Sequence, residues 1–278
     1  MTLVEREVYG GRPVAHVPVA RVRGGRVQRT SDAVAAEEPL EIRLDGERVA
    51  VTMRTPAPGE DAELALGFLL GEAIVEMDGV ARVAECRSPA RDGGIADVRA
   101  RPGTSPAEGW QRRFYATSSC GICGKESIEA VRVAAAPLAA GPCVETSWLS
   151  SLPDALRERQ RAFARTGGLH AAGLFTADEG LLLLREDVGR HNAVDKLVGR
   201  AAMEGLLPLG RQVLLVSGRA SFEITQKALV AGVTVLAAVS APSSLAVGLA
   251  QESGMTLVGF LRDGGFNVYA GAGRIAGV

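Results

Sequence analysis

The chain has 278 residues, of which 47% are hydrophobic, so it is long enough for one or two domains with a large core. Its net charge is −1 and only 4% of its residues are aromatic, which argues against a nucleic-acid-binding protein. No run of about 18 apolar residues or secretory signal is present, and four cysteines are too few for a disulfide framework. We therefore expect a cytoplasmic protein with no nucleic-acid or membrane partner.

The first 36 residues predict an N-terminal arm. Within it the stretch RVRGGRV (21–27) favours a surface hairpin over an extended arm.

Residues 37–115 predict a small α+β domain. The pattern around Asp45-Gly46 is typical of a hairpin turn, and a helix capped by Asp61 follows it. That helix carries an apolar stripe of Leu64, Leu66, Phe68, Leu69 and Ile74, and two further strands are expected over 80–87 and 94–101.

Residues 116–150 form the third predicted segment, a loop and connector with two closely spaced cysteines and a helix over 127–136. Residues 151–278 form the last, a regular α/β domain. Its helices are expected over 153–165, 192–203, 222–230 and 244–251. Its strands are expected in HAAGLFTADEG and LLLLREDVG, then over 212–217, 233–239, 255–261 and 266–270. This order predicts a three-layer α/β sandwich.

The stretch SSCGICGK places Cys120 and Cys123 three residues apart. A structural zinc site needs two further ligands, for which Cys86, Cys143, His170 and His191 stand at unrelated spacings. A thioredoxin-like redox pair would follow a strand, whereas a polar connector precedes this one. Two buried packing cysteines fit poorly with the flanking glycines.

A nucleophilic, sulfur-accepting thiol is the interpretation that the neighbours favour. Gly121 and Gly124 leave the sulfurs accessible to a second protein. Lys125 and the N-terminus of the following helix favour the reactive thiolate. A second thiol three residues away can resolve an oxidised sulfur such as a persulfide.

The stretch REDVGRHNAVDKLVG (185–199) predicts a second site where a strand ends and a helix begins. Asp187 with Arg190, His191 and Asn192 would lie near one helix N-terminus, which suits an anion. His191 and Asp195 are four residues apart and would share a helix face. The alternative is a solvated cap with an internal ion pair; the interrupting Gly, His and Asn favour function.

Two further turns follow buried strands and contain small residues. One carries Ser217, Gly218 and Arg219, and the other carries Ser240, Ser243 and Ser244. Because both follow strands of one predicted sheet, they favour a phosphate-bearing or nucleotide ligand. No GxGxxG or Walker A pattern is present, so neither NAD nor ATP is indicated. The stretch GFLRDGGFNVY (259–269) is either a hairpin turn or another wall of the same pocket.

Several of these stretches resemble the FdhD family, the formate dehydrogenase accessory sulfurtransferases. They are SSCGICGK, REDVGRHNAVDKLVG, SGRASFEITQKAL, and SAPSSLAV followed by TLVGFLR. MRTP and ELALGFLLGEAI are similar to that family's N-terminal half. The resemblance runs from about residue 38 to the C-terminus, and it has no counterpart for the first 36 residues.

The resemblance implies a cytidine-deaminase-like C-terminal fold, although the deaminase zinc signature is missing. It implies a sulfur carrier that receives persulfide sulfur from a cysteine desulfurase. The sulfur would pass to the molybdenum or tungsten bis(molybdopterin guanine dinucleotide) cofactor of formate dehydrogenase. Cys120 would bear the persulfide with Cys123 as its partner, and the cofactor surface would include Phe260, Leu261, Arg262, Asp263, Gly264 and Gly265.

Our own interpretation adds the strand-end residues named above as contacts for the guanine dinucleotide, or for a GDP- or GMP-type nucleotide. A homodimer would present matching sites to the two halves of a pseudo-symmetric cofactor. Two other functions remain open: a non-catalytic chaperone that binds the cofactor, and a zinc-dependent nucleotide hydrolase.

Overall fold

The structure is a computed structural model that describes residues 4–6, 11–87, 93–104, 106–107, 138 and 140–278. Cys120, Cys123 and the predicted helix over 127–136 lie outside the described residues. Among those described, no helix is long and apolar enough to cross a membrane.

The N-terminal arm forms the hairpin that the sequence favours. Strands β2 (Val14–Arg23) and β3 (Arg26–Ala35) pair antiparallel along their whole length. The turn residues Gly24 and Gly25 have φ angles of 52° and 75°, a left-handed conformation that glycine adopts without strain. Helix α3 (Arg161–Thr166) contacts both strands of this hairpin.

The next part of the chain is an α+β unit built on a five-stranded sheet. In spatial order the strands are β1 (Val4–Arg6), β6 (Val80–Arg87), β7 (Gly94–Ala100), β4 (Glu38–Leu44) and β5 (Glu47–Arg54). The predicted Asp45-Gly46 turn joins β4 to β5. Helix α1 (Glu60–Gly71) packs on this sheet, and of the predicted apolar stripe Leu64, Leu66, Leu69 and Ile74 are buried.

The prediction that Asp61 caps α1 is wrong. Gly59 occupies the N-cap position and Asp61 lies in the first turn. Its carboxylate accepts hydrogen bonds from Nε and Nη2 of buried Arg54, at 2.6 and 2.8 Å. Asp61 therefore neutralises a buried cation. Leaving that cation unpaired would cost more free energy than leaving the helix without a cap.

The C-terminal part is built on a six-stranded sheet of mixed direction. Its spatial order is β10 (Gly180–Asp187), β9 (His170–Thr176), β11 (Val213–Val216), β12 (Val235–Ala238), β13 (Thr256–Arg262) and β14 (Gly265–Ala270). The predicted order of elements is confirmed here. A short parallel pair, β8 (Val144–Glu145) with β15 (Ile275–Ala276), closes the domain.

Helices cover both faces of this sheet. One face packs against α4 (Arg190–Met203), α5 (Phe222–Val230) and α6 (Ser244–Ser253). The other packs against α2 (Thr146–Arg159) through Leu149, Leu152 and Leu156. The predicted helix over 153–165 is wrong in its bounds, because α2 begins at Thr146 and the chain turns at Gln160 into α3. The fold is thus mixed α/β, and its likeness to cytidine deaminases stays a prediction.

Helices α1 and α4 join the two sheets by direct backbone contact. A Cβ atom built on Gly67 would lie 2.8 Å from the backbone nitrogen of Gly199. One built on Gly199 would lie 2.9 Å from the nitrogen of Gly67. Such separations leave no space for a side chain at either position.

Charged side chains surround this helix crossing and are mostly buried. Lys196 binds Glu60 and Asp187 at 2.9 and 2.8 Å, and Arg185 binds Glu63. Lys227 binds Asp195 at 2.8 Å. The α+β unit and the α/β domain therefore share one continuous, charge-paired interface.

Candidate functional site

Three helix N-termini converge at one edge of the six-stranded sheet. Strands β10, β11, β12 and β13 run in the same direction, so their carboxyl ends lie together. Helices α4, α5 and α6 begin just after β10, β11 and β12. We call this edge, with the turns 188–191, 217–223, 239–243 and 260–265, the strand-end site. The backbone N–H groups of helix N-termini favour a negatively charged ligand there.

The predicted turns lie side by side in this site. Ser240 donates its backbone N–H to the carbonyl of Gly218 at 3.3 Å, and Phe260 donates to the carbonyl of Ser240 at 3.1 Å. Ala220 and Pro242 form a further parallel bridge. Three stretches far apart in sequence are therefore brought together, as the motif reading predicted.

The serine hydroxyls of these turns differ in the hydrogen bonds that they already make. Ser221 and Ser243 cap α5 and α6 by accepting backbone N–H groups. The Ser217 hydroxyl accepts the backbone N–H of Ala171 at 2.8 Å, which leaves its proton to donate. Arg219 is exposed and forms no ion pair with another described residue, so its guanidinium is available to a phosphate.

Arg190 and His191 lie in the first turn of α4, which begins two residues before the predicted helix at 192. The Nε2 atom of His191 lies 2.8 Å from Oε2 of Glu223 and 3.4 Å from Oγ of Ser221, both at the start of α5. This contact links two of the converging N-termini. Glu223 fixes the imidazole ring and thereby the direction in which the His191 side chain faces the site.

Two buried polar atoms in this cluster have no hydrogen-bond partner in the part of the chain that the structure describes. They are Nε of Arg190, a donor, and Oε1 of Glu223, an acceptor. A buried polar atom without a partner costs about 1–3 kcal/mol, so such atoms call for a ligand or water. A ligand that offers both a donor and an acceptor would satisfy the two.

His170, at the start of β9, lies beside this cluster. Its Nδ1 atom is 3.4 Å from the position of a Cβ on Gly218, and Cβ of Arg190 is 3.7 Å from the same point. Burial lowers the pKa of His170, and the charges of Arg190 and His191 lower it further. An uncharged imidazole that can donate or accept a hydrogen bond therefore faces the site near neutral pH.

Much of the REDVGRHNAVDKLVG stretch is structural, which corrects the expectation for several of its residues. Both amide hydrogens of Asn192 are used, one by the carbonyl of Met53 and one by Oδ1 of Asp187. Asn192 therefore has no donor left for a ligand. Asp195 does not pair with His191, because it binds Lys227. Arg190 and His191 are the members of this stretch that remain for a ligand.

The Phe260–Gly265 segment forms a hairpin turn at the rim of the strand-end site. Phe260 and Asp263 have positive φ angles of 52° and 53°, unusual for residues with side chains. The guanidinium of Arg262 lies 5.6 Å from the Phe260 ring centre. Leu261 is fully buried in the core, so its side chain is not available as a cofactor contact. Arg262, Asp263, Gly264 and Gly265 are exposed.

His170 and Glu223 are site residues that the motif reading missed as ligand contacts. A histidine at a strand start carries no signal unless the sheet order is known. The pair His191 and Glu223 is separated by a strand, and it forms only when α4 and α5 lie side by side. Within the described residues, no group of three or more His, Cys, Asp or Glu side chains could hold a metal ion.

This arrangement defines the chain as a mixed α/β protein with a candidate ligand site at the carboxyl ends of its strands. Residues 35–276 match the FdhD/NarQ family, to which the chain belongs. Sulfur carrier protein FdhD of Streptomyces avermitilis is 56% identical over 275 residues, covering 96% of this chain and 97% of that protein. The protein of the same name from Mycobacterium tuberculosis is 51% identical over 276 residues, covering 95% and 99%.

A crystal structure supports the fold independently. A Desulfotalea psychrophila protein described as a formate dehydrogenase accessory protein superposes with a TM-score of 0.75. The alignment covers 95% of this chain and all of that one, at 24% sequence identity. At this identity the likeness supports the fold alone.

Proposed function

We propose that this chain is a sulfur carrier for the maturation of formate dehydrogenase. It receives sulfur from a cysteine desulfurase and delivers it to the bis(molybdopterin guanine dinucleotide) cofactor. The observation that carries the proposal is family membership, with near full-length similarity to proteins named sulfur carrier protein FdhD. The chain is accordingly a sulfurtransferase that carries its sulfur as a persulfide.

Loading takes place at Cys120. Its thiolate attacks the outer sulfur of the desulfurase persulfide, the bond between the two desulfurase sulfurs breaks, and the desulfurase cysteine leaves as a thiolate. Cys120 then bears the S–SH group. No external oxidant or reductant is consumed, because the transferred sulfur keeps its oxidation state.

Delivery uses Cys123. Its thiolate attacks the inner sulfur of the Cys120 persulfide, which forms a Cys120–Cys123 disulfide and releases hydrosulfide. The two cysteines lose a pair of electrons and the released sulfur gains them, so the step balances. The hydrosulfide becomes a ligand of the metal, and a cellular thiol then reduces the disulfide.

The cofactor is the cargo of this reaction, and the strand-end site fits its guanine dinucleotide moiety. The N-termini of α4, α5 and α6, with exposed Arg219, suit the pyrophosphate. Glu223 Oε1 and Arg190 Nε supply an unused acceptor and donor. Guanine presents the complementary set, with amino and ring N–H donors and the O6 and N7 acceptors. The exposed rim at 262–265 completes the surface.

The functional partners are the desulfurase, formate dehydrogenase and a second copy of the chain, in the cytoplasm. A two-fold dimer would offer two equivalent strand-end sites to the two guanine dinucleotide halves of one cofactor.

Intact-mass measurement tests the loading step. The wild-type protein, incubated with a cysteine desulfurase and cysteine, should gain one sulfur atom that a thiol reductant removes. The Cys120→Ala variant should gain none. Cys86→Ala and Cys143→Ala, which remove the exposed free cysteines elsewhere in the chain, should gain sulfur as the wild type does. An equal gain in Cys120→Ala would contradict the assignment.

A cofactor chaperone is the second candidate, and the strand-end site favours it, because that site is assembled from residues other than the cysteines. The Cys120→Ala/Cys123→Ala double variant separates the two functions. A sulfur carrier loses formate dehydrogenase maturation while it still binds guanine nucleotides. A chaperone keeps both.

A further inference from the structure

The tip of the β2–β3 hairpin is exposed on both of its faces. All residues from 20 to 29 are exposed, and Val22 and Val27 retain 63% and 68% of their accessible surface. These two valines are directly paired across the strands, so their side chains lie on one face. A two-stranded ribbon without a packing partner is marginally stable in water, which makes an isolated tip of this kind a candidate for an interaction surface.

The tip is also strongly basic. The stretch Arg21–Arg29 contains four arginines and no acidic residue, although the whole chain has a net charge of −1. Arg21 makes one long contact with Asp32, at 3.9 Å. No described residue forms an ion pair with Arg23, Arg26 or Arg29. The hairpin tip thus offers an apolar pair on one face and the directly paired, uncompensated Arg23 and Arg26 on the other.

A cavity elsewhere on the same chain has the complementary character. It measures about 400 Å³ and lies between the end of α1 and the start of β6. Its apolar wall includes Ile74, Val75 and Pro106, and its two charged residues are Glu76 and Asp78. Both carboxylates are exposed, and neither forms an ion pair within the part of the chain that the structure describes. We call this cavity the acidic groove.

We infer that the hairpin tip of one copy of the chain docks in the acidic groove of a second copy. Val22 and Val27, on one face of the tip, would lie against the apolar wall, and Arg23 and Arg26, on the opposite face, would pair with Glu76 and Asp78. Around a two-fold axis the contact occurs twice, once in each direction, and this arm exchange closes a dimer.

The geometry permits such an exchange. Each strand of the hairpin has ten residues, which corresponds to roughly 33 Å, and the residues from 20 to 29 are exposed. Two reciprocal contacts also bury twice the area of one. The dimer therefore comes closer to the about 800 Å² per partner that is usual for a stable interface. The inference names the contact for the dimer of the proposed function, but it stands on the hairpin and the groove alone.

Charge reversal tests the contact. Light scattering coupled to size-exclusion chromatography should give a dimer mass for the wild type. Arg23→Glu/Arg26→Glu and Glu76→Lys/Asp78→Lys should each shift the mass to that of a monomer. An equimolar mixture of the two variants should recover the dimer, because each reversed hairpin then meets a reversed groove and each native hairpin meets a native groove.

Arg161→Glu serves as the control, since it reverses an exposed arginine outside the tip and should leave the dimer intact. Circular dichroism and thermal melts establish that both double variants are folded. A monomeric wild type, a dimer that survives both reversals, or a mixture that stays monomeric would each overturn the inference. Sulfur loading of Cys120, measured on the same variants, reports on the proposed function separately, because loading needs the desulfurase and one copy of the chain.

Discussion

Gly67 of α1 and Gly199 of α4 are in backbone contact at the point where the two helices cross. Each glycine lies where the other helix leaves no room for a Cβ atom. This crossing joins the α+β unit to the domain that carries the strand-end site, so it positions the first turn of α4 relative to β5 and α1.

Gly199→Ala should therefore destabilise the protein strongly. The added methyl group would meet the backbone of Glu63 and Gly67, which cannot move as a flexible side chain would. We expect a loss of at least about 3 kcal/mol in the free energy of unfolding, measured in urea. Gly248→Ala is the matched control: it lies in α6 with open space around its Cβ position, and should be neutral or stabilising by up to about 1 kcal/mol.

Lys196→Met should also be costly. Its ammonium is fully buried between Glu60 and Asp187, and the substitution leaves the Asp187 carboxylate buried without its cation. Burial alone would lower the pKa of Lys196, but Asp187 and Glu60 outweigh it and raise that pKa, so the lysine is charged. Breaking such a pair costs about 3–5 kcal/mol.

Arg200→Met provides the comparison on the same helix. Its side chain is 37% exposed and pairs with Glu204 one turn further on, with a longer contact of 3.5 Å to Glu63, which keeps Arg185 as its closer partner. An exposed pair of this kind contributes about 0.2–1 kcal/mol. If both variants lost equal stability in urea denaturation, the buried pair would not have the role assigned to it.

His170 should make the stability depend on pH. Its pKa in the folded protein is lowered by burial, Arg190 and His191, with Asp187 acting in the opposite direction. Below about pH 6.5 the unfolded chain therefore binds a proton that the folded chain resists, so this contribution to stability is lost as the pH falls. His170→Gln should flatten the dependence of unfolding free energy on pH between about 7.5 and 5. An unchanged slope would show that His170 titrates normally.

Glu223 should determine the preference for guanine. In calorimetry we expect GDP to bind the wild type at least about tenfold more tightly than inosine diphosphate, which lacks the 2-amino donor. Glu223→Gln should weaken GDP binding and abolish this preference, because it replaces an acceptor-only carboxylate by an amide. Glu204→Gln, at the far end of α4, should keep it. Equal binding of both nucleotides to the wild type would exclude Glu223 from base recognition.

The sequence predicted the elements around the site well, because turns and buried strands carry local signals. Helix α5 was predicted with its full bounds, and Ser221 caps it. The strand exits at Ser217 and Ser240 were placed correctly on neighbouring strands, since parallel order follows from alternating strands and helices.

What sequence could not predict are the partners of the charged residues. Asp61, Asn192 and Asp195 were each assigned to a local role, and each proves to bind a residue on another element. A charge run looks the same in sequence whether it faces solvent, a ligand or a second domain. Because α1 packs on α4, Asp187 and Lys196 are paired inside that interface, whereas Arg190 and His191 lie in the strand-end site.

The hydrogen bonds between residues 52–55 and the start of α4 have a practical consequence. The Thr55 N–H donates to the Asp187 carboxylate, and the Thr55 hydroxyl accepts the N–H of Val188. The Met53 carbonyl accepts a hydrogen bond from the Asn192 amide. A fragment beginning near residue 140 would retain every strand of the six-stranded sheet but would lose these hydrogen bonds to the start of α4. Such a fragment should bind guanine nucleotides poorly, and co-expressing it with residues 1–107 should restore binding. The candidate ligand site therefore depends on both parts of the chain.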